Sequence, residues 1–235
     1  MKPTVKAETS DIRELPTYTI GEASRYARIP AATLRTWVLG RTYATLNGTE
    51  LSPPIIQPAD PVEKLLSFHN LIEAHVLRSL RTKHGVSLTA VRNALSYAEE
   101  EFGIERLLLR KELQTAVGDL FLERYGELVN LSKKGQLAMK VLLKQYLLRI
   151  ERDFAHLPQR FFPVVDAMPA AQQPLIVIDP QISFGQPHVG RTRIRTSAII
   201  DRLEAGESIE YLAEDFGLSV PEVEGALLFE TAMAA

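Results

Sequence analysis

YTIGEASRYARIPAATLRTWV, residues 18–38, is the stretch that decides the fold of the N-terminal part of this chain. Its apolar side chains have the spacing that packs two short helices across a tight turn. They are Ile20, Ala23, Ile29, Leu34 and Trp37. Pro30 suits the first turn of the second helix, where a backbone N–H has no partner within the helix. The stretch therefore predicts a helix-turn-helix.

The charge around this motif favours DNA as its ligand. Residues 18–43 contain four arginines and one acid, Glu22, whereas the whole chain has a net charge of −2. A recognition helix places its N-terminal residues in the major groove, and basic and hydroxyl side chains beside it hold phosphates. The side chains available for this are Arg28, Thr33, Arg35, Thr36, Arg41 and Tyr43. The alternative is a helical packing module without nucleic-acid contact, because this geometry also occurs as scaffold.

Residues 18–102 resemble the MerR-type winged helix-turn-helix. The similar segments are residues 19–23 and 33–37, and downstream residues 66–72 and 85–95. Thr36 and Val38 depart from the family pattern, and the wing region, residues 40–61, is long and proline-rich. The resemblance implies that Arg35 and Trp37 contact the DNA backbone.

The middle of the chain, residues 103–167, shows no reactive cluster. Two short apolar runs around the turn at 124–127 predict a β-hairpin, and residues 132–153 predict a helix with a broad apolar face. Residues 161–165 suggest a short strand, and residues 168–174 a linker. The apolar helix face is either core or a dimer seam, since two recognition helices on a palindrome lie about 34 Å apart.

The last block, residues 175–235, predicts a strand, a turn-rich loop and three short helices. Residues 175–178 are an apolar run, and residues 189–194 suit a second extended segment. Thr196, Ser208 and Ser219 are candidate N-caps, while Gly206 and Gly217 are candidate helix ends. Three capped helices in so short a stretch form a compact trihelical, helix-turn-helix-like unit.

This block resembles domain-of-unknown-function family 433 (DUF433). The family's fixed elements correspond to Asp179-Pro180, Gly185-Gln186-Pro187, the Gly190–Ile194 stretch with one extra residue, Arg191, and Gly206-Glu207-Ser208. The resemblance implies an antitoxin encoded beside a PIN-like nuclease. With the N-terminal resemblance, it implies a VapB-type antitoxin that represses its own operon.

Charge separates the two ends of the chain. Residues 204–230 contain eight acids and no lysine or arginine, which repels a phosphate backbone and suits a basic protein partner. The alternative is an ordinary solvated acidic face. The candidate partner contacts are Arg191, Arg193, Arg195, Glu207, Glu210 and Asp215. The three arginines are either surface charges or ligands for the metal-binding carboxylates of a PIN-like nuclease.

Bulk composition excludes several classes of function. The chain has 235 residues, 46% of them apolar and 24% charged, and no cysteine, so disulfides and thiol chemistry are absent. Its five histidines lack metal-ligand spacing, and no nucleophile, P-loop or dinucleotide motif occurs. No signal peptide or membrane-spanning run is present, so we expect a cytoplasmic protein without cofactor, metal, membrane contact or enzymatic activity.

These observations lead to one main hypothesis and two alternatives. We expect a mainly α protein with small β elements (α+β), divided into residues 1–17 (an arm), 18–102, 103–167, 168–174 and 175–235. The main hypothesis is an antitoxin that binds operator DNA and a PIN-like nuclease toxin, as a homodimer or a higher toxin–antitoxin assembly. The alternatives are a MerR-like regulator that responds to a small molecule, and an interaction scaffold without affinity for DNA.

Overall fold

The computed structural model describes residues 11–45, 48–81, 88–114, 133–163, 176–190 and 192–234. Within these ranges the chain is mainly helical, with three small antiparallel strand pairs, which confirms the predicted fold class. The predicted hairpin at 116–131, the linker at 168–174 and Arg191 lie outside the described residues.

The first two helices form the predicted helix-turn-helix. Helix α1 (Ile20–Ala27) begins with a capping box in which the Thr19 side chain and Glu22 satisfy each other's backbone N–H groups. It ends at Arg28, whose left-handed backbone (φ 54°) turns the chain. Helix α2 (Ala31–Leu39) follows, with Pro30 at the N-cap, one position before the predicted first turn.

A two-stranded hairpin follows α2 and forms the wing. Strand β1 (Arg41–Thr45) pairs antiparallel with β2 (Gly48–Ser52). Gly40 links α2 to β1 with φ +75°, and a Cβ there would lie 2.5 Å from the Ser52 carbonyl oxygen. Only glycine fits this close approach without displacing the wing. The described residues between 42 and 61 contain no helix.

Helix α3 (Phe68–Arg81) is the centre of the fold. It is buried nearly all round, as expected of a helix enclosed by other elements. Around it lie α1, the 3-10 turn Leu107–Leu109 and α5 (Lys133–Leu147), and α4 (Leu88–Phe102) packs on the same turn. His75 on α3 contacts the rings of Tyr146 and Phe161, at 4.7 and 4.6 Å between centroids.

Two further strand pairs connect the middle of the chain to its C-terminal part. Strand β3 (Ile150–Arg152) pairs with β4 (Pro158–Phe161), and β5 (Ile176–Val177) pairs with β6 (His188–Val189). Phe161 and Ile178 bridge the two pairs through reciprocal backbone hydrogen bonds of 3.0 and 2.9 Å. Strand β4 begins three residues earlier than the strand suggested at 161–165.

The chain ends in three helices, as predicted: α6 (Thr196–Glu204), α7 (Ile209–Phe216) and α8 (Val220–Ala234). Ser208 caps α7 through the Tyr211 N–H, and Gly217 ends it in a left-handed conformation. The prediction for Thr196 was wrong by one residue, because Arg195 is the N-cap of α6. The Thr196 hydroxyl instead donates to Glu230 on α8, which ties the first helix of the unit to the last.

The C-terminal unit packs directly against the helix-turn-helix. The Tyr18 hydroxyl donates to the Gly185 carbonyl oxygen at 2.9 Å in a buried contact. The Tyr26 ring lies 6.4 Å from Phe229 in a stacked arrangement, and Arg25 pairs with Glu230 at 3.2 Å. Both ends of the chain therefore contribute to one apolar core.

Candidate functional site

Helix α2 has a buried face and an exposed face. Leu34 and Val38 are buried, Thr33 and Thr36 are half-buried, and Arg35 is exposed. The Arg35 guanidinium makes no hydrogen bond or ion pair with any described residue. Arg35 borders an open depression with Glu63, Lys64 and the start of α1. Two positive charges and one negative charge therefore lie on this side of α2.

Trp37 belongs to the buried face. Its side chain is 2% exposed, and the Arg81 guanidinium lies 5.7 Å from its ring centroid. Its carbonyl oxygen accepts the N–H groups of Ile55 and Ile56 at 2.8 and 3.1 Å. The prediction that Trp37 packs the two helices is confirmed. The indole is covered, so its burial does not favour the DNA contact that the resemblance implied for this side chain.

The other predicted DNA contacts lie on the wing and at the turn between α1 and α2. Arg41 and Tyr43 are exposed on β1, while Arg28 is half-buried at the turn between α1 and α2. The Tyr43 hydroxyl donates to Glu50 at 2.9 Å, and this hydrogen bond with the nearby carboxylate charge raises the pKa of Tyr43. Glu50 therefore places one acid beside the basic positions, which the sequence count over 18–43 did not include.

The predicted partner contacts in the C-terminal unit divide into two groups. Arg193 and Arg195 are exposed on the segment before α6, and Glu210 is exposed on α7. Glu207 and Asp215, in contrast, both accept hydrogen bonds from Arg202. The hydrogen bonds from Arg202 lower the pKa of Glu207.

The acidic count over residues 204–230 missed this pairing because Arg202 lies two positions before the window. Arg202 stands on α6 and ties it to α7, and its guanidinium also lies 4.8 Å from the Phe216 ring centroid. Part of the acidic face therefore stabilises the unit itself, which leaves fewer free carboxylates than the sequence suggested.

Asp179 has a structural role in the turn after β5. Its carboxylate accepts the Gln181 N–H at 2.9 Å, which orders the turn after β5. It is 2% exposed and pairs with Arg160 Nε on β4 at 2.9 Å. The hydrogen bond to Asp179 raises the pKa of Arg160. No pattern in the sequence indicated that Asp179 pairs with Arg160 on β4.

A cleft of about 530 Å³ lies between α3, α4 and the segment after the wing. Arg106 crosses it with two 2.9 Å hydrogen bonds to Glu73 and one of 2.7 Å to Glu14. Burial opposes ionisation of Glu14, but its hydrogen bond with His69 and the charge of Arg106 outweigh this and lower its pKa.

Arg92 also lines the cleft and donates to Ser52 Oγ and the Pro53 carbonyl oxygen at the base of the wing.

No group of three or more His, Asp or Glu side chains in the described ranges could hold a metal ion. None of the helices described here combines the length and apolar character needed to cross a membrane.

Comparison with protein families identifies both ends of the chain. Residues 16–95 match the family model described as "Putative DNA-binding HTH domain", and residues 176–229 match DUF433, a "Protein of unknown function" family. The chain joins a helix-turn-helix domain to a DUF433 module. The matched residues cover α1, α2, the wing, α3 and the first half of α4 at one end, and β5 to the greater part of α8 at the other. The resemblance to MerR proteins stays a prediction.

Three Mycobacterium tuberculosis proteins are similar to this chain over most of its length. "Putative antitoxin VapB45" of Mycobacterium tuberculosis is 28% identical over 231 residues, covering 91% of this chain and 93% of the relative. "Uncharacterized protein Rv2308" of the same organism is 26% identical over 218 residues, covering 89% and 88%. The crystal structure of Rv2018 from Mycobacterium tuberculosis has the same fold, with a TM-score of 0.65 and 23% identity. The match covers 91% of this chain and 97% of that one.

Proposed function

We propose that this chain is the antitoxin of a type II toxin–antitoxin pair. In this proposal the winged helix-turn-helix binds operator DNA, and the DUF433 module binds and blocks a PIN-like ribonuclease. The name of the relative, "Putative antitoxin VapB45", supports the general assignment. The two matched family models support the division of labour between the two ends.

The exposed face of α2 carries the DNA half of the proposal. Arg35 projects from a helix whose opposite face is fixed by buried Leu34 and Trp37, so the helix is rigidly positioned. Thr33 and Thr36 lie on the same helix. Arg41 and Tyr43 lie on β1 of the wing, the element that directly follows α2. Arginine flanked by hydroxyl groups is the usual composition of a phosphate-contacting surface.

A repressor of its own operon needs two such surfaces on one operator. A palindromic operator matches a protein dimer whose recognition helices are one helical turn of DNA apart, about 34 Å. We therefore propose that two copies of the chain bind together, and we place the toxin on the DUF433 module, away from the exposed face of α2.

Arg35→Ala tests the DNA half, with Arg193→Ala on the DUF433 module as the matched control. Binding to the DNA upstream of the gene is measured across a salt series. Loss of one phosphate contact per protomer removes two contacts from the bound dimer, so the magnitude of the slope of log affinity against log salt falls by about two. We expect Arg35→Ala to weaken binding and reduce the slope, and Arg193→Ala to change neither. Identical slopes for Arg35→Ala and the unaltered protein would exclude α2 as the DNA-binding element.

The cleft beside α3 favours a second candidate, a regulator that responds to a small molecule. Arg92 lines this cleft and also holds the base of the wing, so a ligand that engaged Arg92 would change the position of β2. Low-molecular-weight extract from the source cells provides the probe. A change in operator affinity on adding the extract, abolished by Arg92→Ala, favours the regulator, and no change favours the antitoxin.

A further inference from the structure

Phe184 is an aromatic side chain displayed on a left-handed backbone. It is 90% exposed, and its φ of +56° lies in a region that bulky residues rarely adopt. The residues on both sides, Ser183 and Gly185, also have positive φ, at 51° and 73°. Such strain persists only where the surrounding structure fixes the backbone, and it is concentrated at ligand-contacting sites.

The loop that carries Phe184 is held from both sides. The Gly185 N–H donates to the Ile182 carbonyl oxygen at 3.0 Å, and the Gln186 N–H to that of Ser183 at 3.1 Å. Ser183 Oγ donates to the Arg193 carbonyl oxygen at 3.1 Å. Gly185 itself is buried against the Tyr18 hydroxyl. The backbone that carries the ring is therefore fixed, which lowers the entropic cost of using this loop as a contact.

Two arginines lie on the segment that Ser183, the residue before Phe184, contacts through the Arg193 carbonyl oxygen. Arg193 and Arg195 are exposed, and half-buried Ile194 separates them, so the extended segment alternates and places both arginines on its solvent side. Among the described residues, neither guanidinium has an ion-pair or hydrogen-bond partner. Phe184, Arg193 and Arg195 together form what we name the Phe184 patch.

We propose that the Phe184 patch is the anchor by which the DUF433 module docks on an acidic protein partner. Phe184 fills an apolar pocket of the partner, and Arg193 and Arg195 pair with carboxylates at the rim of that pocket. Aromatic and arginine side chains dominate the binding energy of protein interfaces, and an ordered aromatic side chain is the usual centre. That this partner is a nuclease rests on the proposed function. In that case the carboxylates of the nuclease metal site are the groups that pair with the two arginines.

Nucleic acid is the less suitable ligand for this patch. The same module exposes Glu210, Glu214 and Glu224 on α7 and α8, and these carboxylates repel a phosphate backbone. A protein partner can carry its carboxylates only where they face the two arginines. The rest of its surface then places no negative charge against the acidic helices of the module.

The test compares Phe184→Gly and Phe184→Ala with Phe154→Ala in the full chain. Phe154, in the turn between β3 and β4, is fully exposed and lies outside the patch, so it controls for loss of a surface phenylalanine. The probe is the purified product of the reading frame that adjoins the gene, with binding measured by calorimetry. Thermal unfolding is measured for every variant, because glycine relieves the left-handed strain and preserves the fold.

We expect both Phe184 variants to bind the neighbouring product at least ~30-fold more weakly than the unaltered chain does, the loss typical of an anchor residue. Phe184→Gly keeps or raises the melting temperature, and Phe154→Ala binds normally. Normal binding by Phe184→Gly overturns the anchor and leaves the proposed function intact. Failure of the unaltered chain to bind the product overturns both. Loss of DNA affinity with normal binding of the product shows that the patch contacts nucleic acid and overturns the proposal.

Discussion

Gly185→Ala tests whether the helix-turn-helix and the DUF433 module are one cooperative unit. The new Cβ would lie 2.4 Å from the Tyr18 hydroxyl oxygen and 3.2 Å from Cζ of the same ring, at a backbone φ of +73°. The hydroxyl oxygen cannot remain in place at 2.4 Å, and the buried Tyr18 side chain has no solvent-exposed space to move into. The hydroxyl must move away from the Gly185 carbonyl oxygen, which breaks the hydrogen bond between the two ends of the chain.

The size of the effect follows from two contributions. An L-residue in the left-handed region costs about 1–2 kcal/mol relative to glycine. Breaking a buried hydrogen bond and leaving its groups unsatisfied costs about 1–3 kcal/mol. We therefore expect Gly185→Ala to reduce the free energy of unfolding by about 3 kcal/mol. In a Tyr18→Phe background the hydroxyl is absent, so only the backbone cost of about 1.5 kcal/mol remains.

Urea unfolding, monitored by tryptophan fluorescence, is a suitable assay. Trp37 is the chain's one tryptophan and lies in the helix-turn-helix core, far along the sequence from the altered residue. The double-mutant cycle should give a coupling of about 1.5 kcal/mol between the two positions. Additive effects within about 0.5 kcal/mol, or a Trp37 transition unmoved by Gly185→Ala, would refute direct coupling of the two ends.

Two further predictions concern buried ionisable groups. Burial holds the pKa of His75 at about 3, below its ordinary 6.5, so the unfolded chain binds a proton that the folded chain does not. Stability is therefore lost as pH falls below the unfolded value, and between about pH 8 and about pH 5 the unaltered chain should lose about 2 kcal/mol more than His75→Phe in urea unfolding. Equal losses would show that His75 is protonated in the fold. Arg160→Ala should destabilise the chain more than Asp179→Ala does, about 3 against about 2 kcal/mol by thermal unfolding, because it leaves a buried carboxylate unpaired. The opposite order would contradict this explanation.

Local features of the fold were predictable from the sequence. The packing of Leu34 and Trp37 follows from helical periodicity, and the N-cap at Ser208 and the helix end at Gly217 follow from residue types with strong positional preferences. These features depend on neighbours within a few positions, and such neighbours are visible in a linear sequence.

Features that depend on distant contacts were not predictable. The Tyr18–Gly185 hydrogen bond joins residues 167 positions apart, and nothing near either residue indicates the other. Trp37 has both an apolar ring and a polar N–H, so its type permits either a core or a surface role, and only its three-dimensional neighbours decide. The left-handed backbone of Phe184 is imposed by the fixed loop around it and contradicts the residue's own preference.

Inhibition of the neighbouring gene product tests the central claim most directly. The purified product is incubated with RNA while increasing amounts of the unaltered chain are added, and cleavage is followed over time. The antitoxin assignment predicts that the product cleaves RNA alone and that cleavage stops once the chain reaches a fixed stoichiometric ratio. Unchanged cleavage at a large excess of the chain, or a neighbouring product that neither cleaves RNA nor binds the chain, would contradict it.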